Sequence, residues 1–409
     1  MDDMAKRFAA LSPEQRALLE LRLKQKGLQP SALDPSAPRE QKSSAAPIER
    51  DMRFTLFFFS DQGSMESSKK YTLLLESAKF GDKHNFDAIW TPERHFQDFG
   101  GLYPNPSVLG AALAMITKRL QIRAGSVALP LHNPIRVAEE WSVVDNLSDG
   151  RVGVSFASGW HPRDFVLSPE SYANRKPLMY EHIKTIRKLW AGESITVPAG
   201  NGEEMPVRIL PRPIQSELPI WITTSGTVET FVSAGEIGAN ILTSLSLTSQ
   251  PFEELAHKIK LYREALALHG HDPRKGIVSV MLHTFLGQDE AAVKQLVREP
   301  MRSYLRTYVN QFDHASPERR THAGEVSDAD KEMLLDGVFE RYFATGALLG
   351  TPDKCTALVD RLQTIGVNEI GCLIDFGLDT ETVVASLPYL NELKSWYDPA
   401  ARAASDRAS

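Results

Sequence analysis

His95 and His161 are the side chains best suited to chemistry. An imidazole exchanges a proton near neutral pH, and each lies among Gly, Pro, aromatic and charged neighbours. His95 belongs to Thr91-Pro-Glu-Arg-His-Phe96, beside Glu93 and Arg94, with Phe99-Gly-Gly-Leu-Tyr-Pro-Asn-Pro-Ser107 close behind. His161 belongs to Ala157-Ser-Gly-Trp-His-Pro-Arg-Asp164, where Pro162 fixes a turn. For either one, a loop histidine satisfying the backbone is the alternative. A third segment, Thr223-Thr-Ser-Gly-Thr227, sets hydroxyls and N–H groups ahead of a predicted helix. That arrangement binds phosphate and serves equally as an ordinary N-cap. Glu93, Glu139, Glu140 and Asp164 raise glycosidase chemistry, but sequence gives no pair a defined separation. Glu139 and Glu140 share a predicted helix, where a salt bridge or a solvated face explains them. His269-Gly-His271 has no partners at zinc spacing and reads as a helix end, so no metal site is expected.

The elements that must position these groups alternate. Apolar runs at 54–59, 87–90, 120–128, 151–157, 219–223, 239–243, 276–285 and 369–374 read as strands. Helical spacing separates them at 69–83, 107–117, 134–147, 175–190, 252–269, 291–312, 354–365 and 381–393. Single strands alternating with helices demand parallel pairing, and strands buried on both faces read as continuous apolar runs. Eight units predict an α/β fold, a (β/α)8 TIM barrel with insertions, whose active site lies just beyond the strand ends. Insertions are expected at 191–218 and 300–351, the second holding a polar stretch, 316–330, suited to a lid. Before the barrel, 1–28 reads as a short helical, docking-like segment and 29–52 as a Ser/Pro/Ala-rich flexible linker. The barrel domain is expected over 53–396 and a disordered tail over 397–409.

Bulk properties narrow the function classes. The chain has 46 Lys+Arg against 52 Asp+Glu, a net charge of −6, without basic blocks, so neither nucleic acid nor an anionic membrane is an expected partner. No apolar run suits a bilayer span and no signal peptide opens the chain, which points to the cytoplasm. Its 2 cysteines, Cys355 and Cys372, lack disulfide-framework or metal spacing and read as buried small hydrophobes.

From Arg53 to about Lys394 the chain resembles the bacterial-luciferase-like superfamily of FMN-dependent monooxygenases. Glu93-Arg-His-Phe96, Phe99-Gly-Gly and Asn105-Pro-Ser107 look like the luciferase segment that carries two adjacent histidines. Here Arg94 replaces the first, which leaves the proton chemistry of that pair to rest on His95 or to be shared differently. Gly125-Ser-Val-Ala-Leu-Pro-Leu-His-Asn-Pro134 and Asp145-Asn-Leu-Ser-Asp-Gly-Arg151 continue the likeness, while luciferase's reactive cysteine corresponds to about Ala157. Within the superfamily, Trp90 to Phe96, Phe156-Ala-Ser-Gly-Trp-His-Pro162 and Glu139-Glu-Trp-Ser-Val-Val-Asp145 resemble the branch of nonribosomal peptide and polyketide biosynthesis. Phe8-Ala-Ala-Leu-Ser-Pro-Glu-Gln-Arg-Ala-Leu-Leu19 is similar to short segments that open synthetase modules.

The resemblance implies reduced FMN from a separate flavin reductase, O2 as co-substrate, and reaction through a C4a-hydroperoxide. It implies phosphate on Ser225, Gly226 and Thr227, with Thr223 in the same motif, and Ser126, Ser158 and Gly159 beside the flavin ring. His95 then handles the peroxide proton and His161 bonds flavin or substrate. A cis peptide is expected at Gly125-Ser126. The substrate is expected on a carrier protein or as a released pathway intermediate, and relatives suggest a homodimer. Three rivals stand beside this: a deazaflavin oxidoreductase on the same barrel, a non-catalytic assembly-line binding component, and a carboxylate hydrolase.

Overall fold

The computed structural model describes residues 51–59, 69–97, 100–224, 226–245, 251–315 and 328–398. Eight parallel strands form the frame: β1 (Arg53–Phe57), β2 (Ala88–Thr91), β3 (Gln121–Ala128), β4 (Val152–Ala157), then, after a small hairpin, β7 (Ile220–Thr224), β8 (Asn240–Ser244), β9 (Val278–Leu286) and β11 (Glu369–Leu373). β8 pairs with β9 through Ile241↔Val278 to Ser244↔Met281 and closes the ring β9-β11-β1-β2-β3-β4-β7-β8. This is a (β/α)8 barrel, as the alternating pattern predicts.

Sequence reading misses two pieces of the insertions. Residues 191–218 contain an antiparallel hairpin, β5 (Ile195–Pro198) with β6 (Glu204–Val207), too short and too exposed to show an apolar run. β10 (Leu348–Gly350) adds to β9 outside the ring.

Helices lie between the strands: α1 (Thr72–Lys83), α2 (Pro106–Ile116), α3 (Pro134–Ser148), α4 (Arg175–Ala191), α5 (Val228–Glu236), α6 (Phe252–Leu268), α7 (Glu290–Ala315), α8 (Asp328–Arg341), α9 (Pro352–Thr364) and α10 (Thr380–Ser395). The starts of α2 and α3 use one local device. Asn105 and Asn133 cap them through side-chain oxygens, and Pro106 and Pro134 stand at the first helical position, where a missing N–H removes no bond. Asp149, at φ 60, and Gly150, at φ 75, end α3 in the left-handed region.

Three expectations about the edges change. Met52, placed in the linker, is buried core, so the folded body starts before Arg53. Tyr397, placed in the tail, is buried too; its ring packs on Phe54 and its hydroxyl donates to Asp360 at 2.7 Å, which holds the chain end in the fold. The proposed lid loses its last residues to α8, which runs antiparallel to α7 along a ladder of ion pairs: Lys294–Glu340, Arg298–Asp336, Arg302–Glu332 and Arg306–Glu332. Residues 316–327, the segment 1–28 and nearly all of the linker lie outside the described residues.

Inside the barrel, large rings sit against glycines. A Cβ on Gly125 would stand 3.0 Å from Phe57 Cζ, and one on Gly371 would stand 3.1 Å from Phe57 Cδ2, so a side chain at either position would press the Phe57 ring out of place by a few tenths of an ångström. Below it, Arg123 lies between the rings of Trp90 at 4.8 Å and Trp221 at 4.3 Å and pairs with Glu369 at 2.8 Å. Arg123 is the third residue of β3 and Glu369 the first of β11, so this pair forms the floor. The expected cis bond is absent. Gly125-Ser126 is trans, and the cis peptide among the described residues is Leu210–Pro211. The irregularity of β3 is a bulge between Ala124 and Val127, where two residues face one of β4, and it bends the strand end without an isomerised bond.

Candidate active site

Residues that follow the strands of a parallel barrel meet at one mouth. Glu93, two residues past β2, is the hub of this one. It is 8% exposed and joins two strand ends. Oε2 accepts the N–H of Ala128, the last residue of β3, at 2.7 Å. Oε1 lies 2.8 Å from His95 Nε2 and 2.5 Å from His132 Nε2. Burial opposes charge on Glu93, but bonds and positive charge from His132 and His95 outweigh it and hold the carboxyl below its usual range. Burial also opposes charge on His132, yet the Glu93 carboxylate raises that ring above the ordinary imidazole value. Both directions describe a carboxylate with an imidazolium against it. The three groups, within 4.8 Å of one another, are also a donor set that suits a small divalent cation.

The His95 loop is tied to the His161 loop. Phe96 adopts φ 55, a strained conformation for an aromatic residue, and its carbonyl accepts from Arg163 Nη1 at 3.4 Å. His161 is buried; its Nδ1 accepts the N–H of Arg163 at 3.2 Å and its ring stands edge-on to Trp160. Part of that ring therefore holds its own turn, as the alternative reading supposes. Burial raises the pKa of Asp164 against the charges of Arg94 and His95, and its Oδ1 has no hydrogen-bond partner.

The predicted cofactor residues fall into two groups. Ser126 Oγ lies 3.1 Å from Thr223 Oγ1, which lies 2.6 Å from Ser155 Oγ, so three hydroxyls from β3, β4 and β7 meet two residues below the Glu93 anchor at Ala128. Thr223 thus belongs with the strand hydroxyls and not with the start of α5. There, Gly226 has φ 113, and Thr227 caps α5 without a side-chain bond to the backbone, its hydroxyl pairing with Thr230 at 2.7 Å. N–H groups of the first turn of α5 stay available to an anion. Ser225 lies outside the described residues. Gly159, at φ 73, brings its backbone onto Phe165, where a Cβ would fall 2.7 Å from the ring, and the Ser158 hydroxyl reaches only the Gly159 carbonyl at 3.5 Å. A partly open hydroxyl set, an open helix start and a left-handed glycine turn fit a phosphorylated heteroaromatic cofactor.

His132 is the residue that motif reading passes over. It stands in the quoted Leu129-Pro-Leu-His-Asn-Pro134 segment, and the strand-end rule that selects His95 also selects it. His283 has no such signal, since it lies within the apolar run of β9.

A family model described as luciferase-like monooxygenase matches residues 52–369. The chain belongs to the luciferase-like monooxygenase family. It is thereby an enzyme, a flavin-dependent monooxygenase. The oxygenase component of a flavin-dependent trigonelline monooxygenase from Acinetobacter baylyi is 25% identical over 349 residues, covering 82% of this chain and 92% of the relative. Among solved structures, monooxygenase RslO1 from Streptomyces bottropensis superposes with a TM-score of 0.68 at 23% identity, covering 83% of this chain and 98% of that one. The oxygenating constituent of 3,6-diketocamphane monooxygenase from Pseudomonas putida, solved with FMN, gives 0.64 at 20% identity, with 83% and 97% covered. At these identities the structures establish the fold. No helix among the described residues is long and apolar enough to cross a membrane.

Proposed function

We propose that this chain is the oxygenase half of a two-component system. A separate reductase would supply reduced FMN, and the substrate would be a nonribosomal peptide or polyketide intermediate, carrier-bound or released, in the cytoplasm. The observation that carries the reading is the Glu93–His95–His132 cluster anchored on Ala128, directly above the Ser126–Thr223 hydroxyls. Bound FMN would supply the activation of O2. Gly226, Thr227 and Ser225 would hold its phosphate at the start of α5, and Ser126, Ser158, Gly159 and Thr223 would face its ring. His95, oriented by Glu93, would move the proton at its imidazole, and His132 would keep Glu93 ionised. His161 would line the substrate side. The assembly-line substrate rests on the sequence resemblance, and the separate reductase on a relative that is named as an oxygenase component.

Anaerobic titration with reduced FMN, followed by mixing with oxygenated buffer, tests this. Tight binding and flavin reoxidation slower than in free solution support it, and His95→Ala should change that rate while leaving binding intact. Failure to bind reduced FMN, or reoxidation as in buffer, overturns it; binding of a deazaflavin instead turns the chemistry to hydride transfer.

A further inference from the structure

His283 is the sixth residue of β9 and shares a face with Ser279 and Met281 by the two-residue period of a strand. Ser279 donates to Glu369 on the barrel floor at 2.6 Å, so His283 stands at the upper end of the inward face. Three aromatic rings meet it edge-on: Tyr304 at 4.4 Å and 81°, Phe376 at 5.7 Å and 80°, and Tyr342 at 6.1 Å and 89°. Tyr304 comes from α7, Tyr342 from the turn after α8 and Phe376 from the loop after β11, so the long excursion between β9 and β11 builds most of this wall. The residue is 8% exposed, and its Nε2 has no hydrogen-bond partner. A buried polar atom left that way is costly to the fold, and a phenylalanine at the same place would avoid that cost. Burial drives its pKa down to about 3, so the ring is neutral and offers one donor and one acceptor without charge.

We propose that His283 is the polar anchor of the substrate pocket: its ring nitrogen hydrogen-bonds the hydroxyl or carbonyl oxygen of an uncharged, mainly apolar substrate group seated among Tyr304, Tyr342 and Phe376. This inference rests on the monooxygenase reading and names the substrate class for it. A carboxylate or phosphate meets no counter-charge on that neutral ring. β9 and β2 are separated by β11 and β1, so His283 and His95 stand on different sides of the ring.

The full-length protein is titrated with toluene, p-cresol, acetophenone and benzoate, with dissociation constants read by ligand-observed NMR for wild type and His283→Phe. The wild type should bind p-cresol or acetophenone about tenfold more tightly than toluene, the effect of one hydrogen bond, with no gain for benzoate. His283→Phe should bind all of the neutral probes alike; should it fail to fold, His283→Leu gives the same readout. Equal affinities in the wild type, or a preference unchanged in the variant, overturn the proposal. Reduced FMN binding on the same samples separates the two claims. A preference without FMN binding sinks the oxygenase reading and keeps the anchor, whereas FMN binding without a preference sinks the anchor alone.

Discussion

The floor of the barrel and its mouth each bury a carboxylate against nitrogen bases, and they differ in how far the bonding is completed. On the floor, Arg123 Nη1 meets both oxygens of Glu369, its remaining donors reach Gln121, Ser279 closes the Glu369 side, and two tryptophan faces cover the guanidinium. Neither residue exceeds 1% exposure, and neither leaves a buried atom without a partner. At the mouth, two imidazoles converge on one oxygen of Glu93, and Asp164 Oδ1 and, on β9, His283 Nε2 stay unpartnered. A completed buried pair specifies and holds structure, whereas an incomplete set keeps bonding capacity for a ligand or a proton.

That contrast breaks first at the floor. Glu369→Ala leaves Arg123 buried without its carboxylate and should destabilise the protein by about 3–5 kcal/mol in chemical denaturation, while Arg123→Met with Glu369→Met together should recover most of the loss. If the double variant is no better than the single one, the pair does more than fill the floor.

At the mouth the expected effect is on rate. Glu93→Gln keeps the side-chain shape, removes the charge and should lower oxygenation about a hundredfold. The pH profile gives the sign. His132 is held protonated above the ordinary imidazole range by Glu93, so the variant should shift the limb that reports this ring to lower pH. In stability, the raised His132 contributes below its ordinary pKa and loses that as pH rises through the folded value; the lowered Glu93 contributes above the carboxylate range and loses that as pH falls.

Asp87 sharpens the comparison from beside the floor. Burial and the nearby Glu369 charge push its carboxyl up to about 6. A raised acid favours the folded state while protonated, so its contribution is complete below the ordinary aspartate pKa and is lost as pH rises through about 6. Asp87→Asn keeps an acceptor for the N–H of Phe54 and should be more stable than wild type by about 2–3 kcal/mol at pH 8, with the difference shrinking toward pH 4. An equal difference at both pH values would remove the ionisation account.

The smallest effect belongs to the α7–α8 ladder. Arg302 pairs with Glu299, Glu332 and Asp336, whose side chains are half exposed, so Arg302→Ala should cost less than about 1 kcal/mol and should cost less still in high salt. A large, salt-independent loss would mean that this excursion is part of the core.

Barrel and mouth were legible in the sequence to different depths. Strand and helix periods, the Asn-Pro helix starts and the Gly/Pro-rich strand-end segments are local, so alternating runs led directly to the eight-stranded ring, and the position of His95 to the mouth. His132 was within reach of the same rule. The hairpin at β5 and β6, the helix α8 and the hold on Tyr397 were not, since each depends on what lies opposite a short or polar segment.

The order of residue types along the chain determined the architecture, the family and the loops that carry chemistry, because backbone periodicity and turn residues act over a few neighbours. Only the closed barrel decided which groups touch. It set Glu93 against His132, 39 positions away, placed Arg123 on Glu369, 246 positions away, and left His283 inside an aromatic wall. Pairing at such separations is decided by ring closure and by the low polarity of the interior, where a partner found or missing changes both protonation and stability, and neither quantity is written in any single segment.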